Sequence, residues 1–302
     1  MAKDLLLFLG KNIRKMLDNP NIDIPKLQEI RLRINRPLMI VYNNNEYIVD
    51  KTNDIHHVKN PYIVDSMDIR ETLEYISSYS MYAYEEDIRQ GFITVEGGHR
   101  IGLAGKVVVE QGEIKTIKNI SFINIRLSHQ IKGCANSIID MIKKNKTIYH
   151  TLIISPPGFG KTTLLRDLVR QVSDGEHGLY PLNSVIIDER SEIAGCYQGI
   201  PQNDVGIRTD VLDCCPKDKG MLMAIRTMSP KVIAIDEIGD RKDVKAVEYS
   251  INCGCKILAT IHGNSLEDIL ARPHIQEVVK NNLFERYVIV EAKGCYKVVD
   301  NE

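Results

Sequence analysis

The chain has 302 residues, 43% hydrophobic and 26% charged, with a formal net charge of −1. That length favours two domains with ordinary cores, and the near-neutral balance speaks against the strongly basic surface that nucleic-acid binding needs. No apolar run approaches the ~20 residues that cross a bilayer. The seven cysteines contain no C-x-x-C pair, so reduced, mostly buried thiols of a cytoplasmic protein are expected.

Residues 3–17 read as a helix that stops before Asp18-Asn19-Pro20. The block Leu5-Leu6-Leu7-Phe8-Leu9 lacks a cleavage site, so no signal peptide is expected. It reads either as the inner face of a domain helix, with Ile13, Met16 and Leu17, or as a patch for a membrane or a partner. Residues 27–34 alternate apolar and charged side chains, a strand period that exposes Arg31 and Arg33 on one face. Strands at 38–41 and 47–49 follow, joined through Asn43-Asn44-Asn45. His56 and His57 have no ligand-type partners at metal spacing and read as solvated loop residues. Residues 65–83 form a helical pattern that Asp65 or Ser66 would cap. Further strands at 92–95, 100–109 and 114–127 turn at Gly97-Gly98 and Gln111-Gly112. Arg89, Arg100 and Arg126 on this stretch are either solvated charges or partners for a phosphate, whose oxygens suit a planar guanidinium. An N-terminal α+β domain over 1–132, a linker near 130–133 and a second domain over 133–302, opening on an amphipathic helix at 135–144, complete this division.

The second half is organised around residues 153–165, which read Ile-Ile-Ser-Pro-Pro-Gly-Phe-Gly-Lys-Thr-Thr-Leu-Leu. A short apolar strand enters a glycine loop and a helix leaves it, which is the context that a P-loop requires. Ser155, Pro157, Gly158, Phe159, Gly160, Lys161, Thr162 and Thr163 are the expected nucleotide contacts. Glycine lets the backbone aim its N–H groups at phosphate oxygens, and the helix adds its positive dipole end. Lys161 would reach the β- and γ-phosphates of ATP, and the Thr162 hydroxyl would hold Mg²⁺. Ser155 stands where the motif has its first glycine, which is acceptable if that position needs no positive φ. Strands expected at 151–154, 184–188, 231–236, 256–260 and 287–291 alternate with helices at 162–172, 219–227, 242–252 and 265–270. This is the order of a parallel α/β sheet.

Two of those strands end in acids. Val232-Ile233-Ala234-Ile235-Asp236-Glu237 reads as a Walker B strand, with Asp236 orienting Mg²⁺ and Glu237 polarising the attacking water. Val185-Ile186-Ile187-Asp188-Glu189-Arg190-Ser191-Glu192 delivers a rival base, Glu189, because parallel strands point their C-terminal ends at one crevice. Thr260 and His262 close the next strand, where a side chain can sense the γ-phosphate. Arg208, Arg226, Arg241 and Arg272 are further cations that a phosphate could use, from the same subunit or a neighbour.

With the P-loop at 155–163, an acidic box at 188–192, Walker B at 232–237 and a histidine box at 260–262, this half resembles the secretion and traffic ATPases of type II and type IV systems. Glu29-Ile30-Arg31-Leu32-Arg33, Gly97-Gly98-His99-Arg100-Ile101-Gly102, Asp188-Glu189-Arg190-Ser191-Glu192 and Asp236-Glu237-Ile238-Gly239-Asp240 extend the resemblance over nearly the whole chain, to the stage III AA sporulation family of endospore-forming bacteria. The resemblance implies a RecA-like P-loop domain with helices on both sheet faces, behind an N-terminal α+β domain. It further implies a Mg²⁺-dependent ATPase of the mother-cell cytoplasm, a hexamer peripheral to the membrane. Its partners would be the membrane-embedded channel proteins that link mother cell and forespore. Asp236-Glu237 replaces the Gly-Glu common in secretion ATPases, which leaves the base open between Glu237 and Glu189. Two other readings stand beside this one: a RecA-like motor on nucleic acid, and a nucleotide-gated scaffold with little hydrolysis.

Overall fold

The computed structural model describes residues 5–19, 22–80, 84–292 and 294–300. Its backbone separates into two units, Met1–His129 and Gln130–Glu302.

The first unit is built on an antiparallel sheet. Its strands are β1 (Leu27–Arg33), β2 (Met39–Tyr42), β3 (Asn45–Ile48), β4 (Phe92–Val95), β5 (His99–Glu110) and β6 (Glu113–Arg126), in the order β3-β2-β1-β6-β5-β4. Among the described residues, three α-helices accompany it: α1 (Lys11–Leu17), α2 (Ser66–Ile76) and α3 (Glu85–Gln90). Leu27, Ile30 and Leu32 of β1 enter a core with Leu5, Leu9, Ile13 and Leu17. The N-terminal leucines therefore serve the domain core, although Leu7 stays exposed.

The helix expected over 3–17 is broken. Within the described residues a 3₁₀ turn covers Leu5–Phe8, and α1 starts only after Gly10. The break is fixed from α2: the Gly10 N–H donates to Thr72 Oγ1 at 3.0 Å and the Lys11 N–H to Glu71 Oε2 at 2.9 Å. Residues 3 and 4 of that expectation, and 81–83 of the next helix, lie outside the described residues. Asp65 caps α2 in a reciprocal box with Asp68, but the helix ends at Ile76, because Ser78 and Tyr79 take left-handed backbone. Arg31 and Arg100 are also not simply exposed: Arg31 pairs with Glu29 and Glu46, and Arg100 lies 3.7 Å over the Phe92 ring. His56 and His57 are exposed. The cysteine expectation is corrected across the chain: Cys196 and Cys255 are buried, whereas Cys214, Cys253 and Cys295 are exposed.

The second unit opens with α4 (Ile139–Ile142) and a two-residue ladder of β7 (Lys143–Lys144) on β8 (Thr147–Ile148). The helix expected over 135–144 thus shrinks to one turn. Its buried face (Ala135, Ile138, Ile139, Ile142) is as expected, but side chains from the following long helix tie the start down as turns. Asp167 accepts the Ala135 N–H at 2.9 Å, and Gln171 donates to Asn136 at 2.9 Å.

Seven strands follow: β9 (Thr151–Ser155), β10 (Ser184–Asp188), β11 (Thr209–Asp213), β12 (Val232–Ile235), β13 (Lys256–His262), β14 (Arg286–Ala292) and β15 (Cys295–Asp300). They form one sheet in the order β11-β10-β12-β13-β9-β14-β15, in which only the edge strand β15 runs antiparallel. Successive side chains point to opposite faces. Ile153, Ile186, Ala234, Leu258 and Val288 pack on α5 (Lys161–Asp174). On the other face, Leu152, Ile187, Ile235, Ile257 and Tyr287 pack on α6 (Lys217–Thr227), α7 (Arg241–Asn252), α8 (Leu266–Leu270) and α9 (Glu277–Lys280). Helices cover both faces, so the central strands are buried on both sides and carry apolar runs, as β9, β10, β12 and β13 do between their polar ends. The fold class is α/β, with a parallel P-loop sheet beside an antiparallel α+β unit.

Candidate active site

The parallel strands deliver their C-terminal ends to one edge. Strand β9 ends at the fully buried Ser155, whose extended backbone removes the need for glycine there. The loop then turns through Gly158 (φ +79°) and Gly160 (φ +89°), conformations that favour glycine. Gly160 is the N-cap of α5, and no side chain caps this helix or places an acid in its first turn. Helices α2, α7 and α8 differ, being capped by Asp65, Asp240 and Ser265. The leading amides and dipole of α5 therefore face the loop without a side-chain cap and without an acid in the helix's own first turn.

Opposite this helix start, β12 ends and presents Asp236. One carboxylate oxygen accepts from Thr260 Oγ1 at 2.9 Å and from the Glu237 N–H at 3.1 Å, and lies 3.5 Å from Lys161 Nζ. The other lies 3.3 Å from Thr162 Oγ1. Strand register makes this possible, since Ile235 pairs with Ala259 and His262 with Ser155. The Gly263 N–H donates to the Ser155 carbonyl at 3.2 Å, stitching the end of β13 to the entrance of the loop.

Glu237 adopts φ +23°, unusual for a side chain with a Cβ. Its Oε2 lies 3.4 Å from His262 Nε2, 3.7 Å from Arg190 Nη1 and 3.8 Å from Lys161 Nζ. The other ring nitrogen of His262, Nδ1, is buried and makes no hydrogen bond.

Strand β10 supplies a scaffold beside this cluster. Asp188 is fully buried and accepts the N–H groups of Glu192, Ile193 and Ala194 at 2.8, 3.0 and 2.8 Å. Burial pushes its carboxyl up to about 6, against the pull of those hydrogen bonds. Arg166 of α5 reaches the same loop, donating to the carbonyls of Ile193 and Glu192. The arrangement thus offers an uncapped helix start and an ammonium for an anion, hard oxygen donors for a small cation, and a carboxylate next to an imidazole.

The family model for "Sporulation stage III, protein AA" matches residues 2–300. The chain belongs to this family. It is 40% identical over 270 residues to the stage III sporulation protein AA of Bacillus subtilis (strain 168), spanning 89% of this chain and 84% of that protein. Among solved structures, the Legionella pneumophila ATPase DotB superimposes with a TM-score of 0.60, at 12% identity, over 96% of this chain and 80% of that one. The pilus retraction motor PilT with bound ADP superimposes with a TM-score of 0.55, at 12% identity, over 87% and 73%. At such identities the two structures establish the fold.

In this member of the stage III AA family, Lys161, Thr162, Asp236, Glu237, Thr260 and His262 come together. Ser155, Pro157, Gly158, Phe159, Gly160 and Thr163 lie along the same loop and helix start, with Phe159 exposed. Glu189 is directed elsewhere: its carboxylate pairs with Lys217 at the start of α6. Arg208 is likewise turned to the far end of α5, where it bonds Ser173, whereas Arg272 Nη1 donates to the His262 carbonyl at 2.6 Å. Arg190, inside the acidic box, reaches across to Glu237 beyond the neighbouring strand, a contact that sequence pattern does not indicate. Nothing in the spacing of Lys217 joins it to Glu189, twenty-eight residues earlier.

Proposed function

We propose that this protein is a Mg²⁺-dependent ATPase of the secretion-motor type, working as a homo-hexamer. Its place would be the cytoplasmic side of the membrane in the mother cell, energising a channel to the forespore. The observation that carries the reading is the convergence of Lys161 and Thr162 on Asp236, with His262 against the adjoining Glu237, at the uncapped start of α5. Membership of the sporulation family of the Bacillus subtilis relative supports the sporulation setting, and the fold shared with the DotB ATPase and the ADP-bound PilT motor supports the chemistry.

In this reading, the amides from Gly158 to Thr162 and the Lys161 ammonium bind the phosphates of ATP. Lys161 is suited to the exchange, since it sits 3.5 and 3.8 Å from its two carboxylates, looser than a tight ion pair. Thr162 and Asp236 would hold Mg²⁺, a hard cation matched to a hydroxyl and a carboxylate. When bound, the ion neutralises phosphate charge as a Lewis acid. Glu237 orients the attacking water and accepts its proton, and His262, beside it, holds the carboxylate in place and senses the phosphate end. Thr260 fixes Asp236 and the Glu237 amide in one frame.

The test is turnover of ATP with and without Mg²⁺, at dilute and at concentrated protein. A motor completed by a neighbour's cations turns over faster per subunit once assembled. Equal turnover in monomer and ring removes the ring from the proposal. Glu237→Gln should retain ATP binding and lose turnover by roughly 100-fold or more; retained turnover removes Glu237 as the base.

A further inference from the structure

Next to the phosphate cluster lies a second group of charges that the proposed mechanism does not use. Lys217, the first residue of α6, is almost enclosed, its side chain 11% exposed. A buried ammonium is costly unless paired, and this one has two acids from two separate parts of the chain. Glu189, just past β10, forms an ion pair with it, and Asp243 Oδ2, in the first turn of α7, lies 3.8 Å away. That same Asp243 oxygen accepts the Gly239 N–H at 2.9 Å. Burial raises the Asp243 carboxyl, opposed by the Gly239 hydrogen bond and by the Lys217 charge.

Gly239 is two residues past Glu237, on the turn that aims the proposed base. The φ of +23° at Glu237 persists only if the surroundings over-determine it. At Glu237 itself Thr260 Oγ1 accepts the N–H at 3.1 Å, and the N–H of the next residue, Ile238, donates to the Thr260 carbonyl at 2.8 Å. On the C-terminal side, the hold on the Gly239 N–H is Asp243, backed by Lys217. The lysine is itself positioned by close packing. One turn along α6, a Cβ on Gly220 would meet Ile187 Cγ2 of β10 at 2.5 Å, so the helix lies directly against the strand that carries Glu189.

We infer that Lys217 is a positioning residue for the proposed hydrolysis. Through Asp243 it fixes the Gly239 turn that directs Glu237, and through its ion pair it keeps Glu189 out of the phosphate site. The inference rests on the ATPase reading and divides the two acids that compete for the role of base: Glu237 meets the water, and Glu189 anchors the lysine.

The test is steady-state ATP turnover of full-length protein, with affinity for ADP measured by calorimetry on the same preparations. Lys217→Met should lower kcat by roughly 10- to 100-fold through misplacement of the base, with ADP affinity and KM within about threefold of the parent. Lys217→Arg, which keeps the charge, should recover most of the loss. Glu189→Gln should cost far less than Glu237→Gln. A rise in KM at constant kcat, or an unchanged kcat, in Lys217→Met overturns the inference, as does Glu189→Gln as damaging as Glu237→Gln. Should Lys217→Met fail to fold, Asp243→Asn asks the same question. Its amide oxygen still accepts the Gly239 N–H but no longer pairs with the ammonium, so a kcat loss at constant KM supports the inference and an unchanged kcat refutes it. Wild-type protein that binds ATP without turning it over defeats the ATPase reading itself, a result distinct from all of these.

Discussion

Replacing Thr260 by valine removes one hydroxyl from a fully buried position and preserves the shape of the side chain. That hydroxyl donates to Asp236 at 2.9 Å and accepts the Glu237 N–H at 3.1 Å. A hydrogen bond to a charged acceptor contributes ~1.5–3 kcal/mol. The Glu237 N–H keeps a second acceptor, since it also reaches Asp236 at 3.1 Å, so only part of the full penalty falls due. The expected net cost is roughly 1–2 kcal/mol, which for a unit of this size lowers its Tm by roughly 2–8 °C. The effect on turnover should exceed the effect on stability, because Asp236 and Glu237 lose their shared support: kcat should fall roughly tenfold or more. Thermal unfolding followed by circular dichroism, with ATP turnover on the same samples, measures both. Thr260→Ser, which keeps the hydroxyl, should stay near the parent in kcat. A valine variant with parental stability and turnover refutes the view that Thr260 organises the two acids, and a serine variant as impaired as valine assigns the effect to packing.

Lys161→Ala should weaken ATP binding by roughly 100-fold or more, the order expected when a charge-assisted phosphate contact of ~3 kcal/mol is lost; direct titration with ATP checks it, and unchanged affinity would contradict the nucleotide site. Gly160→Ala forces a Cβ into φ +89°, at roughly 1–3 kcal/mol of backbone strain. Since nothing crowds that site, a lower Tm with weakened nucleotide binding is expected, and an unaffected protein would show that the loop does not need left-handed backbone. Glu285 predicts acid sensitivity. Burial opposes its charge, but Lys144, the His150 N–H and Lys256 outweigh this and hold its carboxyl down at about 2, against an ordinary 4.5. A folded-state pKa below the unfolded one stabilises fully above about 4.5, and the contribution is lost as pH falls from there towards 2. Screening at the partly exposed side chain reduces it to ~1–2 kcal/mol. Denaturant midpoints at pH 7 and pH 3.5 should differ less in Glu285→Gln than in the parent, and an equal difference would show that Glu285 carries none of the acid sensitivity.

The P-loop, the Walker B strand and the alternation of strand with helix were legible because each rests on local pattern. An apolar run of four or five residues, a glycine at positive φ and a helix start need no distant partner to be recognised. Strands β11 and β15 escaped for the converse reason. Thr209–Asp213 is half-buried and carries polar residues, and it becomes a strand only by pairing in register with β10. Strand β15 likewise exists as the antiparallel partner of β14. The helices at 11–17 and 139–142 are shorter than their apolar periodicity because their breaks are imposed by side chains from other elements: Thr72 and Glu71 at Gly10, and Asp167 at Ala135.

Sequence by itself determined the glycine loop between strand and helix and the two strands ending in Asp188-Glu189 and Asp236-Glu237, because those residue types at those spacings follow from backbone sterics and strand period. It left the two glutamates equivalent. Only the tertiary structure separated them, since register sets Asp236 beside Thr260 and Ser155 beside His262, next to Glu237, while α6, pressed against β10, brings Lys217 to Glu189. The direction of a side chain at a sheet edge depends on which charge lies within reach, and that charge comes from a part of the chain whose distance along the sequence carries no trace of the contact.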